Sequence, residues 1–361
     1  MRILHVYKDY FPVLGGIENH IKVLAEAQAA AGHKVIVLVC DPGRRSRVEE
    51  LNGVRVVKAG RLGTFASMPL SLRQWIYLAR LRPDVVHVHS PYPLGEVGVW
   101  LLKPHVPLVI TYHSDVVRQK GWLKVYGPIL RRVLQRAARI LPTSSKYLDS
   151  SKWLQPVRDH CTVVPLGVDH QRFAPPPEPF PGPPTLLFVG RLRYYKGLDT
   201  LLRAMVYLPS DVRLRVVGTG PMLVPWELLA AELDLVPRVE FVGEVSDADL
   251  PAQYHQASLF VLPANARSEA FGMVLTEAMA SGLPCVTTEV GTGTSWVVQD
   301  GVTGAVVPPE DPQALADVLV ELLSQPARLR EMGVAGRARV ETEFTQDRSV
   351  DRVMRVYESF V

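Results

Sequence analysis

Short apolar runs alternate along the chain with longer stretches in which apolar residues recur every three or four positions. Residues 2–7, 34–39, 84–89, 108–112 and 139–142 are rich in Val, Ile and Leu and read as buried strands. Between them, 17–31 and 123–138 carry helical spacing. Continuous apolar strands joined by amphipathic helices predict a parallel sheet covered on both faces. The alternation breaks at 174–184, where Pro175, Pro176, Pro177, Pro179, Pro181, Pro183 and Pro184 crowd one stretch. Such a stretch cannot continue a helix or enter a central strand, and it predicts a stiff linker. The pattern restarts with strands at 185–189, 213–217, 239–242, 259–262 and 284–287. A last amphipathic helix is expected at 346–360, with Val350, Val353, Met354 and Tyr357 on one face, packing back on the first half.

The expected fold is therefore α/β: two Rossmann-like, doubly wound domains facing each other across a cleft. The first spans 1–173 and is joined by the C-terminal helix 346–361. The linker is 174–184, and the second domain is 185–345. A length of 361 residues suits two domains. Sheets of this kind bind ligands at the carboxyl ends of their strands.

Composition narrows the class. Hydrophobic residues make up 47% and charged residues 21%, ordinary for a globular α/β protein. Cys40, Cys161 and Cys285 stand far apart, so neither a zinc site nor a disulfide framework is expected. The first strand starts at Arg2, which leaves no space for a signal peptide ahead of it. No apolar run approaches the ~20 residues a membrane span needs. The expected location is the cytoplasm, or the periphery of the inner face of a membrane. A net charge of +4 favours anionic partners, and the absence of a basic groove interleaved with aromatics argues against nucleic acid.

Four stretches carry candidate chemistry. In Ser268-Glu269-Ala270-Phe271-Gly272-Met273-Val274-Leu275-Thr276-Glu277, a helix opens near Gly272 just after the strand at 259–262. The free first-turn amides of such a helix attract anions, and Gly272 lets the backbone approach. Glu269 and Glu277 bracket that start, an arrangement suited to a ligand with phosphates at its centre and hydroxyls at both ends. In Gly190-Arg191-Leu192-Arg193-Tyr194-Tyr195-Lys196-Gly197, cations follow the end of a strand, where they can stabilise a departing diphosphate without a metal. Gly15 and Gly16 sit in the first strand–helix loop, where bare backbone can meet a phosphate or a sugar. His113, in Thr111-Tyr112-His113-Ser114-Asp115, ends a strand of the first half, with Asp115 expected to orient the loop.

Together these strings resemble the retaining E-x7-E glycosyltransferases of the GT-B fold, family 4, over nearly the whole chain. The resemblance implies transfer of a hexose from a nucleotide-diphosphate sugar, such as UDP-glucose or GDP-mannose, to a lipid-linked or glycan acceptor in cell-envelope or polysaccharide synthesis. It implies that Glu277 holds the ribose hydroxyls and Glu269 the transferred sugar, with Phe271, Gly272, Met273 and Val274 meeting sugar and diphosphate. Arg191 and Lys196, beside Gly190, take the diphosphate. His113 contacts the sugar and the reaction centre, and the loop at Gly218 lies near the nucleotide. Neither a metal nor another cofactor is expected. The alternatives are a sugar phosphorylase or sugar-phosphate synthase on this fold, and a non-catalytic nucleotide-sugar-binding subunit.

Several strings are set aside. Gly218-Thr219-Gly220 lacks the third glycine of a dinucleotide fingerprint. Asp247-Ala248-Asp249 has the spacing of a metal-binding pair, but Ser246 or Asp247 is expected to cap the next helix. His87 and His89 are placed on opposite faces of their strand and read as core. Ser295 and Trp296 stand where many relatives carry Gly-Gly-x-x-Glu, which blurs the sugar and the acceptor. Residues 118–139 hold Arg118, Lys120, Lys124, Arg131, Arg132, Arg136 and Arg139 with no acid. With Trp122, Leu123, Tyr126, Leu130, Val133 and Leu134 near helical spacing, the segment suits an anionic membrane surface or an ordinary covering helix.

Overall fold

The computed structural model describes every residue except 14, 66–67, 117–119, 179 and 361. The chain divides into two compact units, Met1–Gly167 with Asp347–Val361, and Val168–Gln346. The proline-rich stretch 174–184 thus lies inside the second unit and is not a free linker. His255 Nε2 contacts the Ala174 carbonyl at 2.9 Å, and Arg213 donates its amide to Pro184 O at 2.9 Å, which ties both ends of the stretch to that unit.

In the first unit a seven-stranded sheet runs in the order Arg47–Leu51, Val54–Gly60, Lys34–Asp41, Arg2–Val6, Val85–Ser90, Leu108–Tyr112, Arg139–Pro142. Every pairing is parallel except that of Arg47–Leu51 with Val54–Gly60. The order reverses beside Arg2–Val6, the switch point at which such sheets open a crevice. The helix Gln346–Glu358 completes this unit. Val353, Val356 and Tyr357 bury against Ile3, Leu24, Val85, Val109 and Leu141.

The second unit repeats the scheme with six parallel strands, in the order Val239–Gly243, Arg213–Val217, Thr185–Val189, Leu259–Leu262, Cys285–Thr288, Gly304–Val307. Its switch point lies between Thr185–Val189 and Leu259–Leu262. Leu186, Leu187, Phe188, Leu259, Phe260, Val261 and Leu262 are all fully buried, which is why these runs carry no polar alternation.

The basic segment forms the helix Lys120–Arg136. Arg118 lies outside the described residues, and the side chains of Lys120, Trp122 and Leu123 are likewise not described. Leu130, Val133 and Leu134 are buried within the first unit, so the lower part of the apolar stripe is already covered by protein. Lys124, Val125, Arg131 and Arg132 remain exposed. Among the described residues no helix is long and apolar enough to cross a membrane.

Candidate active site

The loops at the switch point of the second unit bring the charged candidates together. After Thr185–Val189 the chain turns through Gly190, whose amide donates to Val217 O at 3.0 Å, and enters the short turn Tyr194–Lys196. Alongside, Gly218 N donates to Gly243 O at 2.7 Å. After Leu259–Leu262 the chain passes Glu269 and reaches Gly272, the residue that caps the helix Met273–Ala280. Gly272 is left-handed at φ 78°, and a Cβ there would stand 2.8 Å from Leu275 Cδ1. The left-handed backbone favours glycine here, and a Cβ would also displace the end of the Leu275 side chain. The amides at the start of this helix, Met273 and Val274, have no helical acceptor and form an anion-seeking end.

Lys196 Nζ pairs with Glu269 Oε2 at 2.7 Å, and both residues are buried, at 8% exposure each. Burial alone lowers the lysine, but the charge and hydrogen bond of Glu269, with Glu277 adding to them, carry its pKa above the ordinary value. Lys196 is therefore a firm cation within reach of both glutamates. Burial pushes the Tyr195 hydroxyl up, Glu269 adds to that, and Lys196, Arg193 and Arg191 oppose it. Arg191 itself is exposed at the start of the same turn. The basic turn and the glutamate-flanked helix thus share one end of one sheet.

Glu277 lies one turn into the helix and accepts from the Tyr254 hydroxyl at 2.7 Å. Burial raises its pKa, Tyr254, Arg172 and Lys196 pull it down, and Asp247 pushes it up again, leaving a net rise. Tyr254 and Arg172 carry no motif and were not singled out from the sequence. The departure at Gly291–Ser295 proves to be a brace. Thr292 Oγ1 donates to Glu269 O at 2.7 Å, Gly293 N to Ala270 O at 2.7 Å, and Arg267 Nη1 to Gly291 O at 2.7 Å. Glu289 Oε1 accepts from Gly291 N at 2.9 Å and from Ser295 Oγ at 3.1 Å. At the Asp247-Ala248-Asp249 string Ser246 acts as the capping side chain: its Oγ accepts from Asp249 N at 3.3 Å and donates to Asp249 Oδ2 at 2.6 Å, just ahead of the helix Leu250–His255.

The first unit presents different chemistry. Glu18 folds over Gly15, leaving a Cβ there only 2.2 Å from Glu18 Oε2, while Gly16 opens the helix Gly16–Ala30. Burial, the largest influence on Glu18, raises its pKa. Asp115 is held as expected of a loop anchor: Tyr112 and Ser151 donate to its Oδ1 at 2.9 and 2.7 Å, and its amide donates to Tyr147 Oη at 2.6 Å.

His113 is buried and belongs to a cluster with His5, His20, His87 and His89. His87 and His89 stack at 4.4 Å between ring centroids, so they share one face of their strand. The expectation of opposite faces fails because residues two apart in a strand point the same way. His5 Nδ1 lies 3.1 Å from His89 Nε2, and His89 Nδ1 lies 3.2 Å from His113 Nε2. His87 is held apart from that chain by the Tyr357 hydroxyl and by Thr111 Oγ1 at 2.7 Å. Burial lowers all five imidazoles, to about 4 for His5 and His20 and well below the usual value for the others. The cluster is neutral.

Residues 14–172 match the family described as Glycosyltransferase Family 4, and residues 170–339 match Glycosyl transferases group 1. The O-antigen chain mannosyltransferase C of Escherichia coli is 34% identical over 99% of this chain and 98% of its own. The D-rhamnosyltransferase WbpZ of Pseudomonas aeruginosa is 37% identical over 96% and 92%. The solved structure of sucrose-phosphate synthase from Thermosynechococcus elongatus superposes with a TM-score of 0.83 over 99% and 98% of the two chains at 24% identity, a likeness of fold. Two Rossmann-like units, the shared strand order and these relatives converge: the chain belongs to glycosyltransferase family 4 and is a glycosyltransferase of the GT-B fold.

Proposed function

We propose that the enzyme transfers a hexose of the mannose type from a nucleotide-diphosphate sugar to a lipid-linked or glycan acceptor, with retained anomeric configuration and no metal requirement. The observation that carries this reading is the buried Lys196–Glu269 pair at 2.7 Å beside the free amides of Met273 and Val274. Lys196 and Arg191 would take the diphosphate, and the helix start adds its dipole. Preformed charge of this kind stabilises a leaving group as its glycosidic bond breaks. Glu277, braced by Tyr254, would accept from the ribose hydroxyls. Glu269 would meet the transferred sugar, and for His113 the family resemblance implies a contact with a sugar.

In this mechanism the acceptor oxygen bonds to the anomeric carbon on the face from which the diphosphate departs. Its proton passes to the departing phosphate oxygen, so no separate protein base is needed. The mannosyl and rhamnosyl relatives support a donor of that stereochemistry. The test is transfer in the presence of a chelator, with the anomeric configuration of the first product read by NMR. Retention at an undiminished rate is expected. An inverted product, or activity restored only by a divalent ion, overturns the reading.

Exposed Lys124, Arg131 and Arg132 support a weaker second contact, with anionic lipid. Vesicle sedimentation with and without anionic lipid tests it, and equal recovery in both overturns it.

A further inference from the structure

We infer that Gln28, His5 and His89 form a one-way hydrogen-bond chain whose task is to leave His113 Nδ1 as a bare acceptor. The assignment follows atom by atom. Gln28 Oε1 lies 2.8 Å from His5 Nε2, and a carbonyl oxygen can only accept. His5 Nε2 therefore carries its proton, and a neutral ring has one proton to place, so His5 Nδ1 is bare. That atom must accept from His89 Nε2 at 3.1 Å. His89 Nδ1 is then bare in turn and accepts from His113 Nε2 at 3.2 Å. The last ring is left with a bare Nδ1, which is buried and has no hydrogen-bond partner among the described residues. The bond at one imidazole nitrogen sets the state of the other, and here that rule runs through three rings in series.

Burial supports the required neutrality, since it lowers His5, His89 and His113 alike. His87 takes no part, being bonded to Tyr357 and Thr111, and His20 packs edge-on against His89 and His113 at 5.8 and 5.6 Å. The same imidazoles stand close enough to ligate a cation, as His5, His87 and His89 or as His20, His89 and His113. The chain is favoured because its nitrogens at 3.1 and 3.2 Å already have hydrogen-bond partners and Gln28 fixes its direction at one end.

The consequence concerns what His113 can recognise. A bare nitrogen accepts, so its ligand must donate: a sugar hydroxyl qualifies and a phosphate oxygen does not. This last step rests on the assignment of His113 to the sugar, whereas the chain itself does not. Gln28, His5 and His89 are positioning residues, and His113 is the group that would touch substrate.

The experiment is nitrogen-15 NMR of the full-length enzyme labelled at histidine, without donor. His5, His89 and His113 are expected as neutral rings protonated at Nε2. Gln28→Glu, which retains an acceptor, should preserve that signature. Gln28→Leu should mix the tautomers of all three rings and lower kcat about tenfold with the fold intact by circular dichroism, about the effect of one lost neutral hydrogen bond. Protonation of His113 at Nδ1, an unaltered signature in Gln28→Leu, or a stoichiometric metal whose chelation moves these resonances overturns the inference. If Gln28→Leu does not fold, the wild-type spectrum decides alone. If the signature is as expected but His113→Ala leaves transfer intact, the chain stands and the assignment of His113 to the sugar fails.

Discussion

The second unit fills the carboxyl ends of its sheet with charge, and the first unit fills the same place in the same strand order with neutral rings. Lys196 and Glu269 are a buried ion pair, with Glu277 one helical turn away. His5, His89 and His113 are buried imidazoles held in file by proton donation. A buried ion pair is costly to form and poor evidence for stability, so its persistence points to work on another charge. A neutral chain avoids that desolvation cost and specifies direction instead. On the function proposed above, one topology thus offers two tools, a clamp for an anion and an oriented acceptor for a hydroxyl.

The sharpest way to break this contrast is Lys196→Ala. Turnover should fall about 10²- to 10³-fold, as expected when one preorganised electrostatic donor is lost. Unfolding should also become easier by about 3 kcal/mol, because Glu269 is left buried without its partner. Steady-state kinetics and chemical denaturation read both, and a variant with near-normal turnover would remove the anion clamp from the account. Next comes Gly272→Ala, which forces a side chain into the left-handed region at a cost of about 1–2 kcal/mol. Donor affinity should drop roughly tenfold as the helix start shifts, measurable by calorimetry.

A pH titration sharpens the role of Glu277. Its pKa is raised, chiefly by burial, and the Tyr254 hydrogen bond opposes the rise. On the proposed role of Glu277, the ionised carboxylate is the stronger acceptor for ribose hydroxyls, so donor binding should weaken as pH falls through a value above the ordinary 4.5. Tyr254→Phe should move that inflection to higher pH and cost about 1 kcal/mol of stability. The sign for folding is the reverse of the sign for binding. A raised acid holds its proton more tightly in the native state, so this contribution to stability is present at low pH and is lost as pH rises through the native value. An unmoved inflection in Tyr254→Phe would detach Glu277 from donor binding. The smallest effect is expected in the first unit. Tyr357→Phe removes the hydroxyl from His87 and should lower stability by about 1 kcal/mol, with donor binding unchanged.

Much of this architecture could be read from residue order, for a physical reason. Strands such as Leu108–Tyr112 and Leu259–Leu262 are buried on both faces, so they appear as unbroken apolar runs. Arg47–Leu51 was missed because it is an edge strand, Arg-Val-Glu-Glu-Leu, with both faces partly wet. Gly304–Val307 was missed as well, a strand of only four residues opened by a glycine. The boundary between units falls at Gly167, not at the prolines, because a proline run packed on a surface looks the same in one dimension as a proline run in solvent. In the candidate site, the motif strings named Glu269, Glu277, Arg191 and Lys196, but not the pairing of Lys196 with Glu269 or of Glu277 with Tyr254. Those contacts join elements far apart in the chain. The imidazole cluster was hidden for the same reason, and His87 and His89 were misplaced through a slip in strand period.

The helix Gln346–Glu358 supplies Val353, Val356 and Tyr357 to a core otherwise built from the first half of the chain. During synthesis the second unit can therefore be complete while the first still exposes Ile3, Val85 and Val109 to water. Until that helix leaves the ribosome, the amino-terminal half waits with an open flank. Loss or delay of that helix would thus injure a unit whose other elements were synthesised well before it, and chaperones should bind there.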